Sequence, residues 1–136
     1  MLINPQPLIT VIDVEASSRW YQAVLGFRSG HGGPDYERLL CGERMVMQLH
    51  RWDAHEHPHL GNPERRPYGN GVVMWFQTDH VGAAFDRALA AEATVLEPLK
   101  INSNANHREF WLRDPDGYVV VVAGADGDVD ADEASA

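Results

Sequence analysis

The sequence predicts an α+β chain built from two similar sheet-forming halves around a pocket. Residues Leu8-Ile9-Thr10-Val11-Ile12-Asp13-Val14, followed by Trp20-Tyr21 and Val24-Leu25-Gly26-Phe27, read as strand, helix and turn. Residues Trp111-Leu112-Arg113-Asp114-Pro115-Asp116-Gly117-Tyr118, ahead of valines 119–122, read as strand, tight polar turn and strand. The order strand, Asp, helix, reversal also recurs: Asp13 matches Asp79 and Gly26-Phe27 matches Glu92-Ala93, each 66 positions apart. Neither half can shield its own sheet, which calls for paired modules or a dimer.

Each element follows from local pattern. Leu8 to Val14 is a mostly apolar strand, and Ala16 to Leu25 carries a helical face of Trp20, Tyr21, Val24 and Leu25. Asp13 suits the cap of that helix, and Gly26, free to adopt positive φ, suits its stop. Strands Tyr36 to Cys41 and Met45 to Leu49 form a hairpin across Gly42-Glu43. The Pro- and Gly-rich stretch 53–70 joins the halves and could act as a flap. Val72 to Thr78 is the next strand, and Val81 to Ala91 a helix with Ala83, Ala84, Phe85, Ala88, Leu89 and Ala91 for packing and Asp79 as its cap. A short strand at Thr94 to Leu96, a polar loop from Lys100 to His107, and strands Arg108 to Arg113 and Tyr118 to Ala123 complete the pattern. Asp114 is placed to satisfy N–H groups of the Asp-Pro-Asp-Gly turn, a structural role.

Composition narrows the function. The 136 residues, 44% hydrophobic, fit one domain over residues 1–125 that buries roughly two-thirds of its surface. The single cysteine, Cys41, beside Leu39 and Leu40, reads as an inert core thiol and makes a reducing cytoplasm the default. No run approaches the roughly 20 apolar residues of a membrane span, and the N-terminus is not of secretory type. A formal charge of -9 disfavours nucleic acid and anionic membranes as partners and favours a neutral or cationic small molecule. Part of that charge lies in residues 126–136, an acidic segment with little to bury that reads as a disordered tail.

Over about residues 6–123 the chain resembles the vicinal oxygen chelate superfamily, the glyoxalase, bleomycin-resistance and dioxygenase family. The resemblance is carried by Val11 to Ser17 with Trp20-Tyr21 and Val24 to Phe27, and by Arg108 to Tyr118. It implies two βαβββ modules, about 6–52 and 71–123, whose curved mixed sheet encloses a cleft, within a homodimer. Metal-dependent relatives place four ligands that map here onto Gln6, Gln48, Val73 and Val121. Two valines cannot coordinate an ion and amides are weak ligands, so neither an inherited metal nor any other cofactor is expected. The segment His55-Glu56-His57-Pro58-His59 has a metal-compatible composition but reads as a solvated loop.

The expected ligand-binding residues are those that strand alternation sends to the cleft: Gln48, His50 and Trp52 from one half, and Trp75, Gln77, His107, Glu109 and Trp111 from the other. Aromatic rings supply stacking surface, and Glu109 demands a cation, solvent or a ligand because an unpaired buried carboxylate is costly. No nucleophile relay, paired glycosidase acids or phosphate-binding glycine motif is present. The expected function is therefore metal-independent binding of a small organic molecule. The rival is a lyase or dioxygenase that uses a displaced His/Glu site, with His50 and Glu109 as an acid–base pair.

Overall fold

The computed structural model describes residues 2–53, 56–125 and 127–129. The chain forms two compact units, Met1–Tyr68 and Gly69–Ala136. The first contains β1 (Leu8–Val11), α1 (Val14–Leu25), β2 (Arg28–Ser29), β3 (Tyr36–Cys41) and β4 (Arg44–Arg51). The second contains β5 (Val73–Gln77), α2 (Val81–Ala90), β6 (Thr94–Asn102), β7 (His107–Arg113) and β8 (Val119–Ala123). Strand orders are β1-β4-β3-β2 and β5-β8-β7-β6, so the units are copies of one βαβββ topology. In each, the first strand lies parallel to the last and the remaining neighbours are antiparallel.

Parallel pairing requires a crossover, and the helix supplies it on one face of each sheet. In the first unit, Val14, Tyr21 and Val24 of α1 are buried, as are Val11, Leu39, Met47 and Leu49 of the strands. In the second, Val81, Ala84 and Ala88 of α2 are buried, and Phe85 meets Phe110 with ring centroids 5.0 Å apart. Leu89, expected in that packing face, is instead 53% exposed.

The helix ends show what the sequence pattern captures and what it misses. Asp13 caps α1, accepting from the Ala16 N–H at 2.9 Å, and Gly26 closes it at φ 74°. Asp79 does not cap α2: His80 occupies that position without a side-chain cap, and the Asp79 carboxylate accepts from His80 Nδ1 at 2.6 Å. The turn before α2 is one residue longer than that before α1, which carries Asp79 out of reach. At the far end Glu92, the counterpart of Gly26, is forced to φ 56°.

β6 runs through Asn102, well beyond the expected Leu96, and His107 begins β7 instead of lying in a loop. Pro98 is tolerated because β6 is a sheet edge and its pairing with β7 is irregular around that residue. The longer hairpin explains why the duplication is faint in sequence: the chain takes 40 residues from Leu8 to its partner Gln48, but 46 from Val73 to Val119. Cys41 is exposed, not buried, because β3 ends there after a register shift at Leu39/Leu40. Asp114 Oδ1 accepts from the N–H groups of Asp116 and Tyr118, both at 2.9 Å, as the turn chemistry predicts. Gly127 and Val129 donate backbone hydrogen bonds to Ala105 and Asn106, and Val129 is buried, so the expected disordered tail does not hold for this turn. The rest of that tail, and His55, lie outside the described residues.

One buried acid fastens the first unit. Glu37, 3% exposed on the helix side of β3, accepts from Ser18 Oγ and Ser29 Oγ at 2.7 Å. Its other oxygen accepts from the N–H groups of Gly32 at 2.8 Å and of His31 and Arg38 at 3.0 Å. Burial alone would raise its pKa, but these donors outweigh it and hold the group below its ordinary 4.5. The depressed value makes its contribution to stability complete above pH 4.5 and lost as the pH falls through the folded-state value.

Two outcomes follow. Glu37→Gln should lower the urea midpoint at pH 7, with its deficit relative to the native protein shrinking as the pH falls below 4.5. Glu92→Gly should raise stability by about 0.5–1 kcal/mol in the same assay, because only glycine adopts that backbone without steric cost.

Candidate functional site

Strand alternation divides each sheet into a helix-covered face and a helix-free face. On the helix-free face of the first unit stand Tyr36, Gln48 and His50. Gln48 is engaged at both ends of its amide: Oε1 accepts from the Tyr36 hydroxyl at 2.6 Å and Nε2 donates to the Gln6 carbonyl at 2.9 Å. His50 pairs across the sheet with Tyr36, and its Nδ1 donates to the Arg51 carbonyl at 2.7 Å. Trp52 lies just past β4, its ring 5.0 Å from that of Tyr68. Its indole Nε1 is buried with no hydrogen-bond partner among the described residues.

The helix-free face of the second unit gathers the other five expected residues. Val73, Trp75 and Gln77 alternate outward on β5, while Met74 is buried on the helix side. His107, Glu109 and Trp111 alternate onto the same face from β7. The registers make rows: Trp75 pairs with Val121, which pairs with Trp111, and Gln77 pairs with Ala123, which pairs with Glu109. Val121 and Ala123 of β8, both buried, thus stand between the side chains of β5 and β7 on this face. The Trp75 ring lies 5.9 Å from that of His107.

Glu109 is the centre of this face. It is 3% exposed, yet both its oxygens are used: Oε1 accepts from Asn102 Nδ2 and from His107 Nε2 at 2.8 Å, and Oε2 from Trp111 Nε1 at 2.5 Å. Burial pushes its pKa up, but the hydrogen bonds from Trp111, Asn102 and His107 more than offset that and keep the carboxylate ionised. The same bonds fix the Trp111 indole and the His107 imidazole, which is 2% exposed. Trp75, by contrast, is 49% exposed and offers an open aromatic surface. A buried negative charge with aromatic rings around it is an environment for an organic cation.

The rival reading pairs Glu109 with His50; within the second unit the imidazole that bonds Glu109 is that of His107. Sequence reasoning missed Asn102, which it placed in a loop. Asn102 is the cross-strand neighbour of His107, a relation visible only once β6 is extended to its full length. Tyr36, the phenol that engages Gln48, was seen only as a strand residue.

The positions from which metal-dependent relatives would hold an ion do not fit one here. Gln48 already spends its amide oxygen on Tyr36, and Gln6 is exposed. Val73 and Val121 have no donor atom, and Val121 is fully buried.

Two βαβββ units in one chain define a class. The chain belongs to the glyoxalase/bleomycin resistance protein/dioxygenase superfamily, whose model matches residues 5–122. No curated protein matches it. Among solved structures it is similar to a glyoxalase/bleomycin resistance protein/dioxygenase family enzyme from Burkholderia phytofirmans PsJN, with 22% identity and a TM-score of 0.73 over 90% of this chain and 99% of that one. A protein of unknown function from Agrobacterium tumefaciens str. C58 gives 21% identity and 0.71 over 92% and 94%. TioX from Micromonospora sp. ML1 gives 20% and 0.65 over 90% and 96%. At these identities the likeness carries the fold alone. No helix among the described residues is long and apolar enough to cross a membrane.

Proposed function

We propose that this protein binds a small organic cation on the helix-free face of its second unit, without an ion at the inherited positions. The observation that supports this reading is the ionised, buried Glu109 held among Asn102, His107 and Trp111, beside the exposed Trp75. A cation over the indoles gains from their electron-rich faces and from the charge beneath them. Gln77, exposed at the end of β5, adds a polar group that can read the rim of a ligand. The acidic composition of the chain favours the same sign of partner. In this reading the protein sequesters its ligand and releases no product, and it works as a homodimer.

A panel of planar organic cations and their neutral isosteres, titrated against intrinsic tryptophan fluorescence, tests this. The cations should bind with saturation and the isosteres at least ~10-fold more weakly. Glu109→Gln, which keeps the side-chain shape, should remove that preference, and Trp75→Ala should weaken all members. Affinity for the cation should fall as the pH drops through the depressed Glu109 value and hold steady above it. Equal binding of charged and neutral members would sink the reading, and product release would replace it with an enzymatic one.

A further inference from the structure

We propose that Asn70-Gly71 is a site of self-modification: the Gly71 backbone nitrogen attacks the Asn70 side-chain amide, and that asparagine becomes an aspartyl or isoaspartyl residue. The site lies in the turn that leads into β5 and takes water as its co-reactant. It does not depend on the binding of a cation to the second unit.

Of the six asparagines in the chain, the other five are held back by their surroundings. Asn4 and Asn62 precede Pro5 and Pro63, whose ring nitrogens carry no hydrogen to lose. Asn102 uses both ends of its amide: Nδ2 donates to Glu109 at 2.8 Å and Oδ1 accepts from the Asn104 N–H at 3.0 Å. Asn104 precedes Ala105, whose N–H donates to the Asn102 carbonyl at 3.2 Å. Asn106 precedes His107, which is buried at the start of β7.

Asn70 meets none of these restraints. It is exposed, as are Gly71 and Val72 after it. The Val72 N–H donates to the Gly69 carbonyl at 2.8 Å, which makes Asn70 and Gly71 the two central residues of a turn. Neither the Asn70 side chain nor the Gly71 N–H has a hydrogen-bond partner among the described residues. The nitrogen is thus free to lose its proton to water, and the amide is free to turn toward it. A Cβ at Gly71 would meet no atom within 4 Å, so nothing crowds the approach from that side. Glycine also lacks the Cβ that shields the backbone nitrogen of other residues, and its backbone rotates more freely. Attack within one chain is favoured because the reacting groups are already held together.

The chemistry balances with water alone. Water or hydroxide takes the Gly71 N–H proton, the bond from that nitrogen to Asn70 Cγ forms, and the Cγ–Nδ2 bond breaks. Nδ2 leaves as ammonia with a proton returned to it, and a cyclic succinimide remains. Water then opens the ring at either carbonyl. Cleavage of the new nitrogen–Cγ bond gives aspartate, and cleavage between the nitrogen and the backbone carbonyl gives isoaspartate. The sum is amide plus water to acid plus ammonia, with nothing oxidised or reduced. Either product adds a negative charge to a chain that already carries -9. The isoaspartyl form also runs the backbone through Cβ, which lengthens the turn just ahead of the Val73–Val119 pair.

The test holds the full chain in mildly alkaline and in mildly acidic buffer for weeks and follows its tryptic peptides by mass spectrometry, with fragment ions locating each change. Trypsin releases residues 66–87, in which Asn70 is the sole asparagine, and residues 101–108, which hold Asn102, Asn104 and Asn106. The acid form of 66–87 should accumulate at least ~10-fold faster than that of 101–108. It should form faster in the alkaline buffer, and part of it should accept a methyl group from protein isoaspartyl methyltransferase. Gly71→Ala should slow the conversion at least ~10-fold, and alanine fits there because the backbone is not left-handed and the space is open. Asn70→Ser should remove the acidic variant that isoelectric focusing resolves in the aged native protein. An unchanged 66–87 peptide in alkaline buffer would overturn the proposal. So would equal rates for the two peptides, a Gly71→Ala rate equal to the native one, or an acidic variant that persists in Asn70→Ser.

Discussion

Parallel pairing of the first and last strands of each unit is the constraint from which the rest of the molecule follows. It cannot be made by a hairpin, so a helix must cross over, and that helix covers one face of the sheet. Strand alternation then divides the strand residues between a helix-covered side and a helix-free side. Met47, Leu49, Phe110 and Leu112 become core by this division, each fully buried. Their chain neighbours Gln48, His50, Glu109 and Trp111 are sent the other way. The candidate site is thus a by-product of topology before it is a matter of chemistry.

Much of this was legible because the strong local signals agree with the fold. The Asp13 cap, the Gly26 stop, the Gly42-Glu43 hairpin and the Asp114 turn each use a residue type that the backbone geometry demands. Period-two alternation then placed Trp75, Gln77, Glu109 and Trp111 on one face correctly. What stayed hidden was of a different kind. The length of β6 depends on its partner β7 and on bulges that absorb Pro98, which no local window reports. With β6 truncated, Asn102 and His107 fell into a loop and the network around Glu109 lost two of its three donors. Asp79 was misread because the Asp13 analogy ignored one extra residue before the helix.

The side-chain contacts after β4 escaped for a related reason. Its metal-compatible residues were noticed as an alternating run of histidines. The structure instead groups Asp53, Glu56 and His57, which are spaced as in a turn, and sets the His57 ring 4.9 Å from that of His50. Extended and turned backbones bring different partners together, and composition alone does not say which applies.

Comparison of Glu37 with Glu109 shows how duplication creates a site. Both acids sit on the strand preceding the last of their unit, both are 3% exposed, and both are held ionised by short donors. Glu37 points toward the helix, where Ser18 of α1 and the loop N–H groups after β2 consume its charge in holding elements together. Glu109 lies on the opposite side of its sheet, and its donors are side chains of its own hairpin, two of them rings. A shift of one residue along a strand exchanges the faces. The same buried negative charge is a structural bolt in one register, and in the other it fixes the His107 imidazole and the Trp111 indole. What distinguishes the second unit is that its charge lies on the face no helix covers.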